Sequence, residues 1–128
     1  MSDLFPLLVA ERRGVEVRQV PAAGLADAIE AGVTLVVLSL VPMQTGRVAD
    51  LATICQRARQ AGVQVLVDST HATPFVSISD HIADIDFLVC AGYKHLLGMR
   101  GSSFLYVRAD RVTEIIPSFA SWRSGERP

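Results

Sequence analysis

Val65-Leu66-Val67-Asp68-Ser69-Thr70-His71 and Phe87-Leu88-Val89-Cys90-Ala91-Gly92-Tyr93-Lys94 decide the fold of this chain. Each opens with a short apolar run and closes on polar residues, the pattern of a strand covered on both faces in a parallel sheet. The first strand ends in a carboxylate and the second in an amine. In α/β sheets ligands sit outside the carboxyl ends of the strands, so Asp68 and Lys94 are expected to face one crevice.

A carboxylate opposite an amine suits pyridoxal 5′-phosphate, which asks the protein for a lysine that forms a Schiff base and for a partner that sets the charge of the pyridine nitrogen. Asp68 would keep that nitrogen protonated, each tenfold change in the protonation equilibrium amounting to about 1.4 kcal/mol. Lys94 would need partial desolvation to hold its amine available near neutral pH, and it would also move protons. Plainer roles exist for the same residues. Asp68 before Ser69-Thr70 is also a turn or cap pattern, Lys94 is also a solvated loop lysine, His71 a loop histidine and Tyr93 a packing residue.

Working outward from this stretch, the rest of the chain alternates helix and strand patterns. Leu4 to Arg13 is expected as a helix closed by Gly14, and Val15 to Val20 alternates as a half-buried strand. After the Pro21 to Gly24 break, Leu25 to Ala31 has helical spacing, and Leu35 to Leu40 is a continuous apolar strand. Val48, Leu51, Ala52, Cys55 and Ala58 mark the buried face of a helix that Gly62 ends. Beyond Lys94, Gly98 to Ser103 is a turn, Phe104 to Val107 a strand, and Asp110 caps a short helix reaching Ile116. This alternation predicts an α/β fold, three-layer α/β/α around a mostly parallel sheet. Residues 1–116 form the domain, and 117–128, with Trp122, form a tail.

Composition narrows the function classes. The 128 residues are 50% hydrophobic and 20% charged with a net charge of −1, which fits one globular domain and gives no basic footprint for nucleic acid. The apolar patch from Leu4 to Ala10 lacks a basic leader and ends in Glu11-Arg12-Arg13, so no signal peptide is expected, and no apolar run is long enough to span a bilayer. Cys55 and Cys90 lack C-x-x-C spacing and neighbouring histidine ligands. They read as buried free thiols of a cytoplasmic protein, and no metal site is expected.

The Val65–His71 and Ala91–Gly98 segments resemble class V of the fold-type I pyridoxal-phosphate enzymes, which includes aminotransferases, cysteine desulfurases and kynureninases. The likeness covers essentially the whole chain but only the middle of a full-length member, and implies a partial large domain with the tail leading toward a small domain. It implies that Asp68 meets the pyridine nitrogen, that His71 lies near the ring's phenolic oxygen, that Lys94 holds the cofactor and that Tyr93 bonds its phosphate. By the same likeness Trp122 would contribute to the substrate pocket, the substrate being a small molecule, an amino acid. Tyr93 is nearest the kynureninase-like pattern, which has Tyr at a position where many other members of the family carry His. Two departures stand out: Met43, in the Leu38 to Gly46 loop, replaces an Asn that would contact the ring oxygen, and Ala91 replaces a phosphate-binding Ser. The desulfurase nucleophile has no counterpart within the sequence.

The resemblance also implies a further strand between those assigned near Val15 and Leu35, so the expectation is a homodimer or a partner segment that completes the sheet. A truncated or naturally split chain is the accompanying expectation, with weak catalysis on its own. Two alternatives stay open: a catalytically inactive α/β module for assembly, and a nucleotide or phospho-receiver domain, against which the absence of G-x-G-x-x-G and P-loop motifs counts.

Overall fold

A computed structural model describes residues 4–116. Its centre is a four-stranded sheet in the order β1-β2-β3-β4, formed by β1 (Leu35–Ser39), β2 (Gln64–Asp68), β3 (Phe87–Ala91) and β4 (Ser103–Val107). The first three strands are parallel and β4 runs antiparallel to β3, a mostly parallel sheet. The register sets Ser39 beside Asp68 and Asp68 beside Val89, so β1 and β2 end level while β3 runs further, to Ala91.

Two helices accompany the sheet. Helix α1 spans Leu4–Glu11 and admits Pro6 because a proline in the first turn breaks no helical hydrogen bond. Helix α2 spans Leu51–Ala61; Asp50 accepts the Thr53 N–H at its start, and Gly62 ends it in a left-handed conformation that a side chain would resist. The α2 face of Leu51, Ile54, Cys55 and Ala58 packs with Val36, Leu38, Val65, Val67 and Leu88 of the sheet in one core. Consecutive parallel strands in simple order place both crossovers on the same side of the sheet. Accordingly Ala72, Val76, Ile78 and Ile85, from the β2–β3 connection, join that same core.

The alternate residues Leu35, Val37, Leu66, Phe87 and Val89 point to the other face and remain half-buried, while Leu105 beside them is 58% exposed. Asp68 shares this second face. Among the described residues the core is therefore one-sided. No described helix is long and apolar enough to cross a membrane.

Three expected elements differ. Val15 to Val20 is not a strand: among the described residues no neighbouring strand offers it a ladder, and an extended segment without one gains nothing over solvated coil. Its Arg18 instead pairs with Glu30 at 2.8 Å. Leu25 to Ala31 is a series of turns following the 3₁₀ turn Ala22–Gly24, since Pro21 and the positive φ of Gly32 leave too short a run to offset helix nucleation. The segment after β4 is a 3₁₀ helix, Ala109–Glu114, and Asp110 does not cap it. Its carboxylate is held by Arg108, at 2.6 and 3.0 Å. Both cysteines are buried and free, as expected. Trp122 and the 117–128 segment lie outside the described residues.

Candidate functional site

Asp68 is the last residue of β2 and partly buried. Its Oδ1 accepts the Thr70 N–H at 2.8 Å, so the turn role read from the sequence is real. That bond uses one carboxylate oxygen, and among the described residues Oδ2 has no hydrogen-bond partner. The Asp68 carbonyl accepts the Leu40 N–H at 2.9 Å, which ties the Leu38 to Gly46 loop to the same strand end. In that loop Met43 is 70% exposed.

The end of β2 is stitched to β3 beyond the last ladder pair. Ser69, fully buried, donates its N–H and its hydroxyl to the Val89 carbonyl at 2.9 and 3.2 Å. The Ser69 carbonyl turns away to accept the Ala72 and Thr73 N–H groups, both at 2.9 Å. Ala91 N–H consequently bonds the Thr70 hydroxyl oxygen, at 3.0 Å. Here a side chain supplies the acceptor where the backbone ladder gives out.

Lys94 stands in a tight loop after β3. Gly92 N–H donates to Ser102 O and Gly98 N–H donates to Gly92 O, both at 2.9 Å, which closes the loop on itself. A Cβ on Gly92 would lie 2.6 Å from Ser102 Oγ, and one on Gly98 would lie 3.1 Å from Gly92 O, so the closure depends on bare backbone at both points. The Leu97 N–H reaches Lys94 O at 3.3 Å, with Leu97 at φ 55°. Lys94 Nζ sits 5.2 Å from the Tyr93 ring centroid and the Arg100 guanidinium 5.8 Å from it, two cations on one electron-rich ring.

The two strand-end loops touch. The His71 ring packs edge-to-face on His95 at 5.7 Å, and His95 packs on Phe75 at 5.2 Å. His71 and Phe75 follow Asp68, and His95 follows Lys94, so the loops carrying the carboxylate and the amine are neighbours. Two clefts, of about 760 and 650 Å³, indent the molecule elsewhere, one between the Ala22–Gly24 turn and the start of α2, the other between α1 and β1. Neither is lined by Asp68, His71, Tyr93 or Lys94. The candidate site lies apart from both, where the two strand-end loops meet, with Asp68 and Lys94 each half-buried.

The donor set fits pyridoxal phosphate in kind. Asp68 offers an acceptor oxygen for a protonated ring nitrogen, and Lys94 has no carboxylate recorded against its amine among the described residues. Sequence reasoning missed Thr70, Ser102, His95 and Phe75. Their part is visible only once segments distant along the chain are in contact.

The model of the aminotransferase class-V family matches residues 7–123. The chain belongs to the class-V aminotransferase family. It is 31% identical over 126 residues to the isopenicillin N epimerase of Streptomyces clavuligerus, a match covering 89% of this chain and 31% of the epimerase. It is 29% identical over 115 residues to the kynureninase of Deinococcus radiodurans, covering 89% of this chain and 28% of the kynureninase. The apo cysteine desulfurase structure from Thermococcus onnurineus superposes with a TM-score of 0.80 at 22% identity, over 93% of this chain and 32% of that one. This class-V chain therefore spans about a third of the length of the relatives it matches. Its mixed sheet with helices is part of the α/β/α domain of fold-type I pyridoxal-phosphate enzymes. Class-V aminotransferases and the similar cysteine desulfurases are pyridoxal-phosphate-dependent. The relatives divide among epimerase, kynureninase and desulfurase, so the likeness marks the family rather than the kynureninase-like branch alone.

Proposed function

We propose that this chain is the core of a pyridoxal-phosphate-dependent enzyme acting on an amino acid, an aminotransferase of class V or a kynureninase-like enzyme. Lys94 holds the cofactor as a Schiff base and Asp68 pairs with the pyridine nitrogen. The observation that carries this is the meeting of the two strand-end loops through His71 and His95, which brings the Asp68 and Lys94 segments side by side. When bound, the cofactor supplies an electron sink for the substrate's α-carbon.

The chain's own residues hold and place the reactants. Asp68, pinned through Oδ1, presents its other oxygen to a ring N–H without having to reorganise. Lys94 carries the amine and accepts or returns a proton, and the adjoining Tyr93 phenol donates to a phosphate oxygen. His71, on the Asp68 side, flanks the ring's phenolic oxygen. Trp122 is assigned to the substrate side by family likeness. A homodimer, or a partner segment that completes the sheet beside β1, is the assembly this reading calls for. The free buried thiols Cys55 and Cys90 suit the cytoplasm.

The test is titration of the chain with pyridoxal phosphate, followed by borohydride reduction and peptide mapping. A new absorbance band at the border of the ultraviolet and visible, with the reduced label on Lys94, is the expected result. A folded chain that takes up no cofactor, or is labelled elsewhere, overturns the assignment.

A catalytically inactive module for assembly is the second reading, favoured by the half-exposed apolar face of Leu66, Phe87 and Val89 and by the outer edge of β1, unpaired among the described residues. It calls for oligomers without cofactor uptake, and for Lys94→Ala to leave assembly unchanged.

A further inference from the structure

We propose that Thr70 is a positioning residue that fixes the Lys94 loop against Asp68. Its two polar groups serve the two sides. The Thr70 N–H donates to Asp68 Oδ1 at 2.8 Å, and the Thr70 hydroxyl oxygen accepts the Ala91 N–H at 3.0 Å. Ala91 is the last residue of β3 and leads directly into the Gly92–Gly98 loop that carries Lys94. One residue therefore orients the carboxylate through its backbone and anchors the amine-bearing strand through its side chain.

No backbone group stands in for the hydroxyl. The carbonyl of Ser69, the first residue beyond β2, is engaged by Ala72 and Thr73, and Val89 O is taken by both Ser69 groups. Removing the Thr70 oxygen leaves the part-buried Ala91 N–H without an acceptor, and such a group restores its hydrogen bond by moving toward water. The strand tip that shifts is the one bearing Lys94. Asp68 is untouched, because its bond comes from the Thr70 backbone. The separation of Lys94 from Asp68 changes while the carboxylate's own turn persists. Two anchored groups hold a rigid ring only at a fixed spacing, so the effect falls on cofactor binding.

The inference rests on the cofactor assignment proposed above, and its test separates the two. Thr70→Val keeps the shape and deletes the acceptor, whereas Thr70→Ser keeps the acceptor. Amide hydrogen exchange at Ala91 and pyridoxal-phosphate affinity, followed by the absorbance band, are measured in the wild-type chain and both variants. For Thr70→Val, Ala91 exchange is expected to rise about tenfold and cofactor affinity to fall about tenfold, the scale of one lost hydrogen bond with its donor stranded. Thr70→Ser is expected to stay within about twofold of wild type in both. If Thr70→Val does not fold, Thr70→Ala, which adds no bulk, carries the comparison. Faster exchange at Ala91 with unchanged cofactor affinity makes the bond merely structural and overturns the proposal, as does unchanged exchange. Uptake absent from the wild-type chain itself overturns the cofactor assignment, and the positioning role with it.

Discussion

Asp86 Oδ2 accepts the Val65 N–H at 2.8 Å, joining the segment just before β3 to the start of β2. The other oxygen, Oδ1, lies 3.0 Å from both Arg108 Nη2 and Arg111 Nε, and the Asp86 side chain is only 4% exposed. A buried carboxylate is tolerable only with such partners. At the far end of the same two strands stands Asp68, whose side chain is half free. One carboxylate is engaged through both oxygens, whereas among the described residues the other is held through one.

Asp86→Ala strands the Val65 N–H and leaves two guanidinium groups without their shared partner. Stability should fall by about 3 kcal/mol, at the lower end of the range for breaking a buried ion pair because both arginines reach solvent. Urea denaturation of the variant against wild type measures it; a loss below about 1 kcal/mol would show the cluster to be of surface strength.

Gly92 and Ser102 make a second coupled pair. Gly92→Ala sets a methyl group 2.6 Å from Ser102 Oγ and forces that hydroxyl off the Met99 carbonyl, its present partner at 2.6 Å. The cost should be about 1–3 kcal/mol. Part of it should vanish in the Gly92→Ala, Ser102→Ala double variant, which removes the obstructing atom. A double-mutant cycle by thermal denaturation reads the coupling, and strict additivity would refute the contact.

Leu97 carries a left-handed backbone, φ 55°, while its side chain is 90% exposed. Leu97→Gly gives up almost no packing and relieves a strain of about 1–2 kcal/mol. Against that stands glycine's greater freedom in the unfolded chain, about 0.5–1 kcal/mol. A gain of about 0.5 kcal/mol in unfolding free energy, read by urea denaturation, is expected from these opposing effects. Leu97→Val, branched at the strained position, should lose stability instead.

Burial, reinforced by the Asp84 carboxylate, pushes the Cys55 thiol up to about 11. An unfolded thiol ionises near about 8.5, so above that pH the unfolded chain sheds its proton first and is favoured. Stability is complete below about pH 8.5 and drains away as pH climbs toward 11. Denaturation midpoints between neutral and strongly alkaline pH should fall less steeply in Cys55→Ala than in wild type. A thiol reagent at neutral pH should leave Cys55 unmodified until the fold opens.

Much of the fold was legible in the sequence because apolar runs such as Leu35–Ser39 and Phe87–Ala91 signal buried strands wherever their neighbours come from. Helix α2 announced itself through its spacing and through Gly62. Val15 to Val20 misled because alternation states what a segment could pair with, not whether a partner is there. Asp68 and Lys94 stood out through the rule that strand ends deliver functional groups. Thr70, Ser102 and Asp86 did not, because a hydroxyl replacing a missing carbonyl, or an aspartate shared by two arginines, exists only through contacts made across the fold. In the short acidic run before β3, nothing local separates Asp86 from the more exposed Asp84.

The paired strands β2 and β3 are riveted at both extremities, by Asp86 at one and by Ser69 and Thr70 at the other. Strands β1 and β4 flank them, each with one lateral margin bare among the described residues. Unravelling should then travel inward from the flanks, with Val65–Val67 and Leu88–Cys90 the last amides to take up deuterium. The loops that carry Asp68 and Lys94 hang from this slowest-opening seam, so their geometry should outlast the loss of the sheet's borders.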